Sequence, residues 1–124
     1  MVSYSTNQLI IYTEKYIVFN MVKQIKVEIT IPLRYNDGSP IETERIDKVR
    51  KELVREFKGL SISGEIEGYW VKDNITFCDF NKIFVVVCDD TEKNIDWLTG
   101  YKNWLKYSLD QQDIFIVISE VRTL

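Results

Sequence analysis

The sequence of 124 residues contains no histidine and only two cysteines, and these shortages restrict what the chain can do. Histidine is the commonest zinc ligand and the commonest general base near neutral pH, so mechanisms that require it are excluded. Cys78 and Cys88 lie apart in strand-like segments rather than in a CxxC pair. We expect both to be small buried residues rather than a disulfide or a metal site.

Long apolar runs and an excess of positive charge are missing as well. No apolar segment approaches the roughly 20 residues of a membrane-spanning helix, and the N-terminus lacks the basic flank of a signal peptide. The sequence therefore predicts a soluble, cytoplasmic protein without a membrane partner. The net charge of -3 repels polyanions, so nucleic acid is a disfavoured partner.

The apolar residues that are present suffice for one folded domain. Hydrophobic residues make up 45% and charged residues 28% of the chain, the proportions of an ordinary globular protein. A chain of this length can bury one hydrophobic core. We expect that domain to span residues 21–124, after an N-terminal extension formed by residues 1–20.

The extension is too apolar to stay in water as a free tail. Its apolar residues include Leu9, Ile10, Ile11, Tyr12, Tyr16, Ile17, Val18 and Phe19. We expect residues 9–12 and 16–19 to form a hairpin that packs on an exposed face or edge of the sheet, in the same chain or in a partner. The alternative is that Met21 is the true start and that the extension is dispensable.

Residues 25–33 alternate apolar and polar side chains, which is the period of a half-buried strand. The turn sequence of residues 36–38 ends this strand. Apolar residues at helical spacing then predict the first helix, and they are Ile46, Val49, Leu53 and Phe57. A capping box from Ser39, or a later cap at Thr43, would begin this helix, and Gly59 would end it in the left-handed conformation.

The second half of the chain predicts further strands and a second helix. The strand segments are residues 60–71, bent near Gly64 and Gly68, residues 75–78 and 82–88 after a turn, and residues 114–120. The helix follows three candidate N-caps, Asp89, Asp90 and Thr91. It carries apolar residues at helical spacing, namely Ile95, Leu98, Tyr101 and Leu105.

The order strand, helix, strand, strand, helix, strand is typical of the ferredoxin-like βαββαβ sandwich, an α+β fold. Two helices would cover one face of a four-stranded antiparallel sheet. The strands of residues 82–88 and 114–118 are apolar on both faces, although a two-layer sandwich buries only one. We therefore expect something else, such as a second copy of the chain, to cover the other face.

Four short motifs punctuate these elements. They are the loop of residues 32–38, Phe57-Lys58-Gly59-Leu60, Gly68-Tyr69-Trp70 and Gln112-Asp113-Ile114. Over residues 24–121 the pattern resembles a family of uncharacterised prokaryotic single-domain proteins, although Asp79 stands where we would expect Glu. The resemblance implies a ferredoxin-like fold and no activity.

The most concentrated polar group lies at residues 34–37, where the first strand ends. Arg34 and Asp37 would bring a guanidinium and a carboxylate together there, and Asp37 would act as a base or a metal ligand. In placing an aspartate near this point the chain is similar to small CRISPR-associated endoribonucleases of this fold. We favour the simpler interpretation that Asp37 belongs to the turn.

Other candidate residues are aromatic or acidic. Tyr69 and Trp70 would help Arg34 and Asp37 to orient a substrate in an apolar pocket. Asp89 and Asp90 would offer oxygen ligands to a cation such as magnesium, but a helix N-terminus also accounts for acidic residues there. No cofactor motif is present.

Three functions remain open on this basis. The leading one is a noncatalytic binding or assembly module that forms a homo-oligomer through its sheet. The alternative is a small enzyme of the dimeric α+β barrel type, with a small apolar ligand in a pocket between sheet and helices. A metal-dependent nuclease at Asp37 is the third.

Overall fold

The computed structural model describes residues 23–124 in full, together with the backbone of three strands nearer the N-terminus. Those strands are β1 (Val2–Tyr4), β2 (Gln8–Tyr12) and β3 (Ile17–Met21). β2 pairs antiparallel with β1 and with β3, so extended structure is present where the sequence predicts a hairpin. The predicted packing of this segment's side chains on the main sheet lies outside the described residues.

The domain that follows has the predicted ferredoxin-like α+β fold. Its elements are β4 (Gln24–Pro32), α1 (Thr43–Phe57), β5 (Ser61–Ile62), β6 (Ile66–Lys72), β7 (Ile75–Asp89), α2 (Glu92–Ser108) and β8 (Ile116–Val121). The sheet order is β5-β7-β4-β8, every pairing is antiparallel, and β6 also pairs with β7. The predicted second strand is therefore interrupted near Gly64, which makes the sheet five-stranded rather than four-stranded.

The core lies between one face of the sheet and both helices. Every second residue of β4 is buried, and these residues are Ile25, Val27, Ile29 and Ile31. Val49 and Leu53 of α1 and Leu98 and Leu105 of α2 pack against them. Removing such side chains from water contributes about 1.5 to 3 kcal/mol each. Among the described residues, no helix is long and apolar enough to cross a membrane.

Both predicted ends of α1 are corrected by the structure. The helix begins at Thr43 with Glu42 as a cap that makes no side-chain hydrogen bond, so the capping box from Ser39 and the cap at Thr43 are wrong. The reason is that the N–H of Ile41 bonds to the carbonyl of Leu33 at 2.9 Å, which keeps the chain extended there. At the other end the left-handed residue is Lys58, with φ 64°, and not Gly59.

The second helix begins as predicted at one of its three candidate caps. The hydroxyl of Thr91 accepts a hydrogen bond from the N–H of Asn94 at 3.2 Å. Along its length Trp97, Tyr101 and Trp104 form a series of stacked rings with centroids 4.6 and 5.4 Å apart. Phe57 of α1 meets Trp97 edge-on, so these aromatic residues pack the two helices against each other.

A hairpin extends beyond the end of β4, and we call residues 66–80 the hairpin arm. β4 pairs only with residues 81–89 of β7, whereas the earlier part of β7 pairs with β6. Asp73 and Asn74 join the two strands with positive φ values of 52° and 61°, as a tight hairpin turn requires. Cys78 lies in this arm and is exposed, so the prediction that it is buried is wrong, and Cys88 is half-buried.

Candidate functional site

The face of the sheet that points away from the helices, which we call the outer face, contains a cleft of about 750 Å³. Thr30 and Pro32 lie on this side because they alternate with the buried Ile29 and Ile31. Three segments form the cleft, namely the end of β4 with residues 34–38, the hairpin arm, and the loop of residues 111–114 before β8. Its size falls within the range of small-molecule sites.

Two aromatic rings of the hairpin arm form one wall of the cleft. Trp70 and Phe77 lie directly opposite each other in the β6–β7 register and stack with centroids 4.3 Å apart and planes inclined by 15°. The indole N–H of Trp70 donates a hydrogen bond of 2.6 Å to Oδ2 of Asp79. The residue opposite Asp79 is Gly68, where an added Cβ would lie 3.2 Å from Nδ2 of Asn81.

The charged groups of the cleft differ in what they contact. Arg34 holds its guanidinium carbon 4.6 Å from the centroid of the Phe80 ring, and Lys72 lies near the arm's tip. Neither cation pairs with a carboxylate among the described residues. Asp79, by contrast, already accepts the bond from Trp70.

Asp113, the second carboxylate of the cleft, is also engaged. It accepts a hydrogen bond from the N–H of Ile114 at 2.9 Å, and Lys102 lies 3.3 Å away. The bond from Ile114, assisted by Lys102, lowers the pKa of Asp113 below its ordinary value. The cleft therefore contains two satisfied carboxylates and, within the described part of the chain, two cations without a carboxylate partner.

Asp37 does not line the cleft, although the neighbouring Tyr35 and Asn36 do. Its Oδ1 accepts hydrogen bonds from the hydroxyl of Ser39 at 2.5 Å and from the N–H of Ser39 at 2.8 Å. The hydroxyl bond is the main reason that the pKa of Asp37 is lowered. These contacts are the turn chemistry that the sequence analysis favoured.

Tyr69 does not line the cleft either, and its side chain points to the face of the arm opposite to that of Trp70. Its hydroxyl donates a hydrogen bond of 2.7 Å to Oε2 of Glu67. That bond, with a smaller effect of Cys78, raises the pKa of Tyr69 to about 12. Of the four catalytic candidates, the structure thus brings only Arg34 and Trp70 together.

Asp89 and Asp90, the candidate cation ligands, lie at the junction of β7 and α2. Asp89 ends β7 opposite Gln24, and the N–H of Asp90 bonds to the carbonyl of Lys23 at 2.7 Å. Within the part of the chain that the structure describes, no three acidic or cysteine side chains gather into a group that could hold a metal ion. Within those residues, neither Asp37 nor the pair Asp89 and Asp90 belongs to a group of three side chains that could bind a metal ion.

Four residues that line the cleft were not among the candidate site residues predicted from the sequence, namely Lys72, Phe77, Asp79 and Phe80. A usable signal was present, because a two-residue turn at Asp73 and Asn74 fixes the register and places Phe77 opposite Trp70. Gln112 and Asp113 were noted only as a motif at the start of the last strand, and both line the cleft. Their approach to Arg34 depends on the sheet order.

No protein-family model matches the sequence, and no curated protein matches it. Among solved structures, CutA1 from Oryza sativa is similar with a TM-score of 0.60 and 15% identity, covering 82% of this chain and 83% of that one. The divalent cation tolerance protein CutA1 from Thermus thermophilus gives a TM-score of 0.58, 18% identity and coverages of 81% and 85%.

A third similar structure is a phage SAM lyase in complex with S-methyl-5'-thioadenosine. It has a TM-score of 0.60 and 10% identity, and the match covers 78% of this chain and 81% of that one. Identities this low establish a shared fold and nothing finer.

Proposed function

We propose that this protein is a noncatalytic binding and assembly module that associates with copies of itself through the hairpin arm and the outer face of its sheet. The observation that carries the proposal is the exposure of apolar side chains on the arm. Tyr69 is 65% and Val71 67% exposed on one face of the arm, and Ile75 is 57% exposed on the other, which it shares with Trp70 and Phe77. Large exposed apolar surface marks interaction sites in proteins, and here it lies on both faces of the arm.

The arm is also expected to have little stability of its own. A two-stranded hairpin without a covering layer is at best marginally stable in water. The arm extends past the end of β4, which pairs only with residues 81–89 of β7. Trp70 and Phe77 stack on each other, but both side chains remain partly exposed to solvent. A partner surface would therefore stabilise the arm as well as bury its side chains.

A second copy of the chain fits the rest of the outer face. Val87 of β7 and Val117 of β8 are exposed there and flank a polar stripe on β4. In that stripe Lys26 Nζ lies 3.1 Å from Oε1 of Glu28. Two outer faces packed in opposite directions would place Lys26 near Glu28 of the partner subunit, so the stripe is complementary to itself.

Light scattering behind a sizing column tests this surface by mutation. We expect Val71→Ser with Ile75→Ser to dissociate the oligomer at micromolar concentration, because both changes remove apolar area from the arm. Tyr107→Ser is a matched control, since Tyr107 is 88% exposed and lies on α2, outside the arm and the sheet. If the arm variant kept the molar mass of the wild type, the arm would not be part of the interface.

The competing occupant of the outer face is the chain's own N-terminal segment. Deletion of residues 1–20 separates the two ideas. If the segment covers the face, the deletion should lower the melting temperature and promote association of the newly bared surface. An unchanged melting temperature and molar mass would show that the segment is dispensable and does not cover the face.

A small enzyme is the second candidate function, and the cleft is the observation that favours it. The cleft lies on the outer face, however, and not between the sheet and the helices, where the alternative enzyme class would have its pocket. The fold is shared with a SAM lyase that binds S-methyl-5'-thioadenosine, and Trp70 would offer a ring on which an adenine can stack.

Incubation with S-adenosylmethionine tests this second candidate. Formation of S-methyl-5'-thioadenosine, followed by liquid chromatography, would support lyase activity if Trp70→Leu abolished it and Trp97→Leu did not. Absence of product from a folded protein would remove the candidate.

A further inference from the structure

The cleft on the outer face combines an aromatic feature with a charged one. One is the stacked pair Trp70 and Phe77, and the other is the pair of cations, Arg34 and Lys72. All four side chains line the same cleft of about 750 Å³. Together they specify a ligand chemistry more closely than either feature alone.

The aromatic pair offers a surface for a flat ring. One face of the Trp70 indole is covered by Phe77, and the side chain remains 45% exposed, so part of the ring is open to the cleft. The bond from its indole N–H to Asp79 fixes the orientation of the ring. A preoriented aromatic face binds planar rings by stacking with little loss of side-chain entropy.

The cations offer the complementary charge. The two carboxylates of the cleft are already engaged, Asp79 by Trp70 and Asp113 by Ile114 and Lys102. Arg34 has its guanidinium over the Phe80 ring, an arrangement that leaves its N–H groups free for an anion. Arginine forms paired hydrogen bonds with carboxylates and phosphates, and lysine adds a point charge.

We propose that the cleft binds a small ligand in which a planar aromatic ring carries an anionic group. The ring stacks on Trp70, and the phosphate or carboxylate lies between Arg34 and Lys72. The cleft lies on the same outer face as the proposed self-association surface, but the binding depends on Arg34, Lys72 and Trp70 and not on the exposed Val71 and Ile75.

Isothermal titration calorimetry of the full chain tests the proposal with four probes. Adenosine monophosphate and indole acetate both combine a ring with an anion, and they distinguish a phosphate from a carboxylate. Adenosine supplies the ring alone and inorganic phosphate the anion alone. We expect at least one combined probe to bind about tenfold or more tightly than either half, because the two contacts share one ordering cost.

Variants connect the binding to the cleft. Arg34→Gln should weaken the tighter combined probe about tenfold, since it removes a charge-assisted bond. Lys93→Gln is the matched control, because Lys93 is an exposed cation on α2 away from the cleft. Arg34 is exposed, so its replacement should leave the thermal melt unchanged.

Three results would overturn the proposal. The first is that neither combined probe binds. The second is that adenosine alone or inorganic phosphate alone binds as tightly as the combined probe. The third is equal weakening by Arg34→Gln and Lys93→Gln, which would locate the binding elsewhere. Because the variants leave the arm's Val71 and Ile75 intact, failure here is distinguishable from failure of self-association.

Discussion

Trp70 donates its indole N–H to Asp79 across the two strands of the hairpin arm, with 2.6 Å between Nε1 and Oδ2. The indole simultaneously stacks on Phe77, the residue directly opposite it. One carboxylate thus orients the ring that forms the wall of the cleft.

Replacing that carboxylate should loosen the arm. We expect Asp79→Ala to lower the free energy of unfolding by about 1 kcal/mol, the contribution of a typical hydrogen bond, and Asp79→Asn to restore part of it. Urea unfolding followed by tryptophan fluorescence measures both values. Asp96→Ala, at an exposed position of α2, is the control. Equal effects at positions 79 and 96 would show that the bond contributes nothing.

The helix layer contains a polar group that the fold does not use. The hydroxyl of Tyr101 is buried and has no hydrogen-bond partner among the described residues, and burial, aided by the nearby Glu52, raises its pKa. Tyr101→Phe keeps the stacking with Trp97 and Trp104 and removes the buried hydroxyl. We therefore expect the variant to be as stable as the wild type or more stable by up to about 1 kcal/mol.

Thermal and urea unfolding of Tyr101→Phe and Tyr101→Leu provide that comparison. The leucine variant loses the stacked rings and should be clearly less stable. A phenylalanine variant that lost as much stability as the leucine variant would mean that the hydroxyl has a partner.

Neighbouring residues of α1 should respond very differently to truncation. Leu53 is fully buried between helix and sheet, whereas Val54 is 42% exposed. We expect Leu53→Ala to lower the free energy of unfolding by about 2 to 5 kcal/mol, because it leaves a cavity. Val54→Ala should change it by less than about 1 kcal/mol. Similar losses in urea unfolding would contradict the orientation of α1.

The stability of the loop before β8 should depend on pH through Asp113. Its bonds to Ile114 and Lys102 lower its pKa in the folded state, so the unfolded state binds more protons in acid. The stabilisation is therefore present above the ordinary aspartate pKa of about 4 and is lost as the pH falls through the lowered value. Melting temperatures measured from about pH 5 downwards should fall less steeply for Asp113→Asn than for the wild type. If the melting temperatures of the variant and the wild type fell equally with pH, Asp113 would make no such contribution to stability.

Local patterns in the sequence predicted the fold because they report local physics. The alternation in β4 reappears as alternating burial from Ile25 to Ile31, and the helical spacing of Val49 and Leu53 reappears as the buried face of α1. The start of α1 was not predictable in this way. It depends on the bond from Ile41 to Leu33, which a capping pattern does not contain.

The cleft was only partly predictable. Tyr69 and Trp70 were grouped as one site, although the period of two in a strand places adjacent residues on opposite faces. Asp37 was grouped with Arg34, but its carboxylate accepts hydrogen bonds from Ser39 within the turn. Asp113 reaches the cleft because β8 pairs with β4, a long-range contact that no local pattern encodes.

The molar mass of the wild-type protein in solution tests self-association most directly. The exposed side chains of the hairpin arm and outer face predict a mass of at least two chains at micromolar concentration by light scattering behind a sizing column. The oligomer should persist at high salt, since apolar contacts, unlike exposed charge pairs, are not screened. A strict monomer under these conditions would contradict the proposed function.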